Sequence, residues 1–299
     1  MKAVLLAAFR LIALLALCFL ATKAVFRILP GDPITVMLGE SPAPARADQL
    51  RMELGLNRPF IQAIASDLEL AARGEFGRSF LSGKPVAPVL RERAIRSLAL
   101  SGLAIFMALL LALPLAAFSA NGNQLASRLL ETWYRVSAAL SPAWLGPVLL
   151  LVFAVWVPFF PVSGSVFLPA CALAFFVGGF WAKLAESRIR DRLQNGSAPG
   201  ARARGFPEWR ILFRDGVKPS LPALLSAFGA QAGGIVGGAF VMETVFGWPG
   251  LGAYLVDAVL SRDLPTVQAA VFASAGLSLL AVALGDLGAT LLDPREANR

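Results

Sequence analysis

The chain has 299 residues, 57% of them hydrophobic and only 15% charged, with a formal net charge of +8 and no histidine. A water-soluble domain carries about a quarter of its residues as charged groups, so this composition excludes that class. The missing imidazole excludes histidine-based acid–base catalysis and removes the commonest transition-metal ligand.

The apolar residues come in blocks of about twenty, the length that spans a bilayer as a helix. The expected fold is therefore all-α, a polytopic transmembrane helical bundle. The positive charge suits cytoplasmic loops of a membrane protein rather than nucleic-acid binding. Cys18 and Cys171 both lie inside apolar blocks, so no disulfide framework is implied.

Residues 1–29 read as an N-terminal transmembrane helix. Arg10 interrupts the apolar core that a cleaved signal peptide would need, and Ala21-Thr22-Lys23-Ala24 is a poor cleavage site. Pro30-Gly31-Asp32-Pro33 stops that helix, because two prolines and a glycine cannot continue it. Residues 30–97 form an external loop region, polar and mixed in charge up to about Val89. Within it, Gly77 to Pro85 superficially suggests a phosphate loop. The glycine spacing is wrong and Pro85 stands where Ser or Thr would hold magnesium, so the chain has no nucleotide site of its own.

A core domain covers residues 98–292 and holds five spans. Span two is about Leu98–Phe118. A short loop with Arg128, Glu131 and Arg135 leads to span three, about Ala138–Val157, which Pro142 kinks. After an uncharged turn at Pro161–Gly164, span four runs from about Phe167 to Lys183. A loop over 183–220 precedes span five, about Leu221–Val245, a single apolar run. Phe246 to Gly252 reads as a tight re-entrant turn. Span six is about Ala269–Leu292, and residues 293–299 form a tail.

Charge sets the orientation. The 183–220 loop carries nine basic and four acidic residues, a net +5, whereas Gly247–Gln268 is net −1. The first loop is therefore cytoplasmic, with both termini inside and Ile34–Val89 outside. The cluster Arg91, Arg93 and Arg96 at the outer end of span two runs against this pattern. The larger loop decides it.

No catalytic constellation stands out. Asp286 in span six is costly in hydrocarbon and is expected to face the bundle or a polar cavity. Glu243, at the outer end of span five, is expected to sit in water. Either could serve as a proton-relay carboxylate, so a self-sufficient secondary transporter is the alternative function. Gly229, Gly233 and Gly237 recur every four residues, with Ala230, Gly234 and Gly238 in the next row. Such small-residue rows allow close helix approach, within the bundle or at a subunit interface.

Taken in order, several segments resemble the permease subunits of the dipeptide/oligopeptide/nickel family of ABC importers. These are Pro30-Gly31-Asp32-Pro33, Leu54-Gly55-Leu56-Asn57-Arg58-Pro59, Gly74–Phe80, Ala201-Arg202-Ala203-Arg204-Gly205, Glu243–Gly252 and Asp293-Pro294-Arg295. The resemblance implies a six-span, type I importer permease in the bacterial inner membrane. It implies pairing with a second, similar permease, two ATPase subunits that bind ATP and Mg, and an external binding protein that delivers peptides or related solutes. It also implies that Ala201, Arg202, Ala203, Arg204 and Gly205, followed by Glu208, Arg210 and Arg214, form the loop that docks into the ATPase, and that Gln231 lines the path. The chain departs from the family at Gln194–Gly200, where relatives have an acidic and aromatic helical run. Pro199 and Gly200 are expected to break a helix there, leaving a short docking helix that starts near Ala201.

Overall fold

The computed structural model describes residues 73–156 and 164–292, plus scattered positions between 16 and 70. The expected first span, Pro30-Gly31-Asp32-Pro33, Leu54–Pro59, the turn before Gly164 and Asp293–Arg295 lie outside the continuous described stretches. Among the described residues the chain is helical, with one isolated β-bridge between Arg78 and Pro85.

The elements are α1 (Val86–Ala120), α2 (Gln124–Ala139), α3 (Pro142–Leu150), α4 (Phe167–Asn195), α5 (Ala198–Ala203), α6 (Glu208–Ile211), α7 (Lys218–Ala230), α8 (Ala232–Val245), α9 (Leu251–Leu260) and α10 (Leu264–Leu292). A π-helical turn continues α3 over Leu151–Trp156, and another continues α6 over Leu212–Val217. Among the described residues three helices are long and apolar enough to cross a membrane: α1, α4 and the Leu264–Gly285 part of α10. A fourth is added if α2 and α3 are counted as one bent span. α1 alone, at 35 residues, reaches ~52 Å, well beyond a hydrocarbon core of about 30 Å.

Three expectations are corrected by local chemistry. The stretch with Arg128, Glu131 and Arg135 is not a loop but the helix α2. Asn123 caps it, its side chain accepting from the Ala126 N–H at 3.0 Å. Span three does not simply kink at Pro142. The chain stops at Leu140, restarts with Ser141 capping and Pro142 in the first turn of α3, and bends by 105°. Span five is not one helix. It divides at Gln231 into α7 and α8, the peptide at Gln231 standing at φ −90° and ψ −2°.

The chain forms two compact units, whose boundaries fall inside α1 and inside α10. The first unit comprises residues up to Ser97 with Pro249–Leu277. Val86 and Leu90 of α1 pack there with Leu251, Ala269 and Ala270, and Phe76 and Tyr254 flank them. The loop before α1 is tied down at its tip: the Phe80 N–H donates to the Asp263 carboxylate at 2.9 Å, and Thr266 Oγ1 donates to the same carboxylate at 2.7 Å. The Ser97 hydroxyl accepts from the Leu251 N–H at 2.6 Å. That bond satisfies one of the orphan amides at the start of α9.

The second unit comprises Leu98–Trp248 and residues from Ser278 onward. α4 is its central helix, burying Leu173, Trp181, Ala185, Ile189 and Leu193 against α2, α3, α7 and α8. Glycine makes the α2–α4 approach possible. A Cβ on Gly179 would stand 2.2 Å from Ser137 Oγ, and one on Gly178 would stand 2.5 Å from the Trp133 ring. Trp133 Nε1 donates across the same seam to the Phe175 carbonyl at 2.9 Å. The Trp181 and Phe228 rings lie 4.2 Å apart and join α4 to α7.

Candidate functional site: the charged end of α4 and the loop that follows

Two clusters meet the polar end of α4, both inside the second unit. The first surrounds Glu186, which is almost fully buried. Its carboxylate accepts from the Ser119 hydroxyl at 2.5 Å, from Arg190 at 2.7 Å and from Lys183 at 3.0 Å. Lys183 also donates to Glu131 of α2 at 2.8 Å, and Arg135 reaches the same carboxylate at 3.0 Å. The Lys183 ammonium, joined by the Arg135 guanidinium, holds the Glu131 carboxyl below the usual carboxylate range. The buried carboxylate thus ties the ends of α1 and α4 together, and Lys183 extends the tie to α2. A buried charge is tolerated here because every partner is a donor. The three, four-residue spacing of Lys183, Glu186 and Arg190 carried a signal for this network. The contribution of Ser119 carried none.

The second cluster is the loop itself. Helix α5 starts at Ala198, earlier than expected. Pro199 lies in its first turn, where proline lacks nothing the helix needs, so it begins the helix instead of breaking it. Ala198 and Ala201 face inward, whereas Arg202, Ala203 and Arg204 face outward. Gly205 ends the helix at φ +77°. Its N–H donates to the Arg202 carbonyl at 2.9 Å, and the Phe206 N–H donates to the Ala201 carbonyl at 3.2 Å. A Cβ on Gly205 would meet no atom of this chain, so glycine serves the left-handed backbone and leaves open space outside.

Beyond the turn, Arg202 grips Glu208 with two hydrogen bonds, at 3.0 and 3.3 Å. Arg204 and Arg210 stand over the Phe206 ring at 5.6 and 4.8 Å from its centroid. Ser197 hydrogen-bonds Asp215, and Gly216 packs close against Ile189 and Leu193 of α4. The loop is therefore a folded platform seated on α4. Ala201, Arg202, Ala203, Arg204, Gly205, Glu208 and Arg210 come together on it, and Arg214 lies exposed in the following π-helical turn. Trp209 and Phe213, four residues apart, project outward with 68% and 60% of their surface exposed. Sequence reasoning did not single out these two or the Phe206 platform. Their aromatic character amid arginines was the available signal.

The residues of span five and span six are not brought together with this loop. Gly229 meets Gly285 of α10 so closely that a Cβ would stand 2.8 Å from its Cα. Gly229 therefore packs within the bundle. Gly234 and Gly237 face open space. Gln231 is half-buried at the α7–α8 break. Glu243, expected in water, is fully buried, because α8 turns that face into the core beside Met242. The surroundings of Gly233 and the side chain of Asp286 lie outside the described residues.

Residues 95–298 match the family described as "Binding-protein-dependent transport system inner membrane component". The chain is 28% identical over 295 residues to a putative peptide transport system permease protein of Brucella abortus, with 92% of each chain covered. It is 29% identical to the oligopeptide transport system permease protein AppB of Bacillus subtilis, over 95% of this chain and 94% of that one. It is 30% identical to the glutathione transport system permease protein GsiC of Escherichia coli, over 87% of this chain and 88% of that one. A helical chain with membrane-crossing helices, matched to this family over its whole core, belongs to the inner-membrane permeases of binding-protein-dependent ABC importers, in their peptide/nickel branch.

Proposed function

We propose that this chain is one of two permease subunits that together enclose the path of an ATP-driven importer for peptides or related small solutes. Two ATPase subunits bind ATP and Mg and drive it, and an external binding protein delivers the solute. The peptide and glutathione permeases among its relatives support this cargo class. In this reading six spans cross the membrane, both termini lie in the cytoplasm, and Gln231 with Glu243 and Asp286 borders the path.

The observation that carries the coupling role is the folded loop after α4. A short helix with small residues ends at a left-handed glycine, and two aromatic side chains project beyond it. Nucleotide-driven closure has to move the spans through a rigid contact, and this platform packs on α4 through Gly216 while the Ser197–Asp215 bond closes the loop on itself. The test is reconstitution of the chain alone and with its companion permease, ATPases and binding protein. Uptake of a labelled peptide is expected only from the complete assembly, and the chain alone is expected to hydrolyse no ATP. Proton-driven uptake by the chain alone would replace this reading with a secondary transporter working through Glu243 or Asp286.

A further inference from the structure

Where α1 ends, the backbone turns through Gly122 into α2 and faces the last turns of α4. This corner holds an open pocket of about 440 Å³. Apart from Gly122 its walls are polar or cationic: Ser119, Asn123, Gln124, Ser127, Arg128 and Arg190, with no carboxylate among them. Arg190 is pre-positioned, because one nitrogen is held by Glu186 at 2.7 Å and by the Ser119 carbonyl at 3.4 Å. Glu186 itself is fully engaged by Ser119, Lys183 and Arg190, and Glu131 by Lys183 and Arg135. Arg128 is exposed and makes no ion pair among the described residues. Arg135, Lys183 and Arg190 close the pairs of Glu131 and Glu186, so Arg128 is the cation of the pocket wall with no ion pair among the described residues, and Arg190 stands beside it.

The two helices that supply most of the lining also carry exposed apolar side chains. Leu125 and Leu129 of α2, one turn apart, and Phe118 at the end of α1 are all more than half exposed. A free anion would gain nothing from these exposed apolar side chains, but a lipid would. Basic pockets between helices at a membrane surface suit anionic headgroups, each nearby Lys or Arg being worth about 1 kcal/mol, roughly a fivefold change in affinity. We propose that this pocket binds the phosphate of an anionic phospholipid between Arg128 and Arg190, with its acyl chains lying over Leu125, Leu129 and Phe118. The proposal requires only that this end of the bundle meet a membrane surface, whatever solute the importer carries.

The test counts lipids retained by the full chain, purified in detergent and exposed to mixed micelles of phosphatidylglycerol or phosphatidylcholine, by native mass spectrometry. Phosphatidylglycerol should be retained about tenfold over phosphatidylcholine. Arg128→Gln should reduce that preference, Arg128→Glu should abolish it, and Arg135→Gln, outside the pocket, should leave it intact. Millimolar inorganic phosphate should not displace the lipid. Equal retention of the two lipids, or an unchanged preference in Arg128→Glu, would overturn the site. Displacement by phosphate would assign the pocket to a soluble anion and overturn the lipid. Recovery of ATPase subunits with Arg128→Glu reports separately on the importer reading.

Discussion

Gly205 stands at φ +77°, where an L side chain costs roughly 1–2 kcal/mol. Gly205→Ala should therefore weaken the end of α5 by about that amount while leaving the platform in place. Gly205→Trp adds bulk on the open side of the turn. The protein should still insert, but co-purified ATPase and peptide uptake should both be lost; normal values for both would remove this loop from coupling. Glu208→Lys should do less, because its pair with Arg202 is exposed on both sides and is worth roughly 0–1 kcal/mol. Glu186 is a different kind of residue. Its carboxylate is buried and serves the hydroxyl of Ser119, itself only 1% exposed. Glu186→Ala strands that hydroxyl and should cost about 1–3 kcal/mol. Lys183 and Arg190 are half-exposed and can rehydrate, which keeps the loss below that of a fully buried pair. Thermal unfolding in detergent should place Glu186→Gln between wild type and Glu186→Ala, since the amide still accepts from Ser119.

At the scale of elements, the glycines of α7 and α8 divide into two kinds. Gly229 and Gly285 meet backbone to backbone, and a Cβ on Gly285 would stand 2.5 Å from the Gly229 Cα. Neither helix backbone can yield cheaply, so Gly285→Val should destabilise by about 1–3 kcal/mol through overpacking and lower the folded yield. Gly237 faces open space, and Gly237→Ala should leave folding intact or improve it by up to about 1 kcal/mol. Size-exclusion recovery of the two variants separates these outcomes, and equal behaviour would refute the packing of α7 on α10. The same scale explains α2. Its leucines face outward at positions 125 and 129 while Ala126, Leu130 and Ser137 face inward, so the helix is amphipathic and owes its stability to α4.

For the whole molecule, the proposed orientation rests on the charge asymmetry of the loops. The tip of the loop ahead of α1 and the loop after α4 should lie on opposite sides of the membrane. In intact cells Ser82→Cys should react with an impermeant thiol reagent, and Gln194→Cys should react only after permeabilisation. Both positions are exposed, so burial cannot imitate the protected result. The reverse pattern would invert the topology and place the platform around Gly205 where no ATPase could reach it.

Membrane class, helical content and family were legible in the sequence because each rests on local composition or on ordered short motifs. Blocks of about twenty apolar residues can satisfy their backbone in lipid only as helices, and α1, α4 and α10 follow. A short helix ending before Gly205 was likewise legible, since small residues precede that glycine, although it starts at Ala198 rather than near Ala201. What the tertiary structure decided were the questions that local composition leaves open. Pro199 reads as a breaker until its place in the first turn of α5 is known. Glu243 reads as solvated until α8 turns its face into the core. A helix over Gln124–Ala139 reads as a charged loop until α4 supplies the surface that its apolar face covers. The engagement of Ser119 with Glu186, 67 residues away, has no local trace at all. Periodicity records what a segment can bury, and only packing determines which neighbour it is buried against.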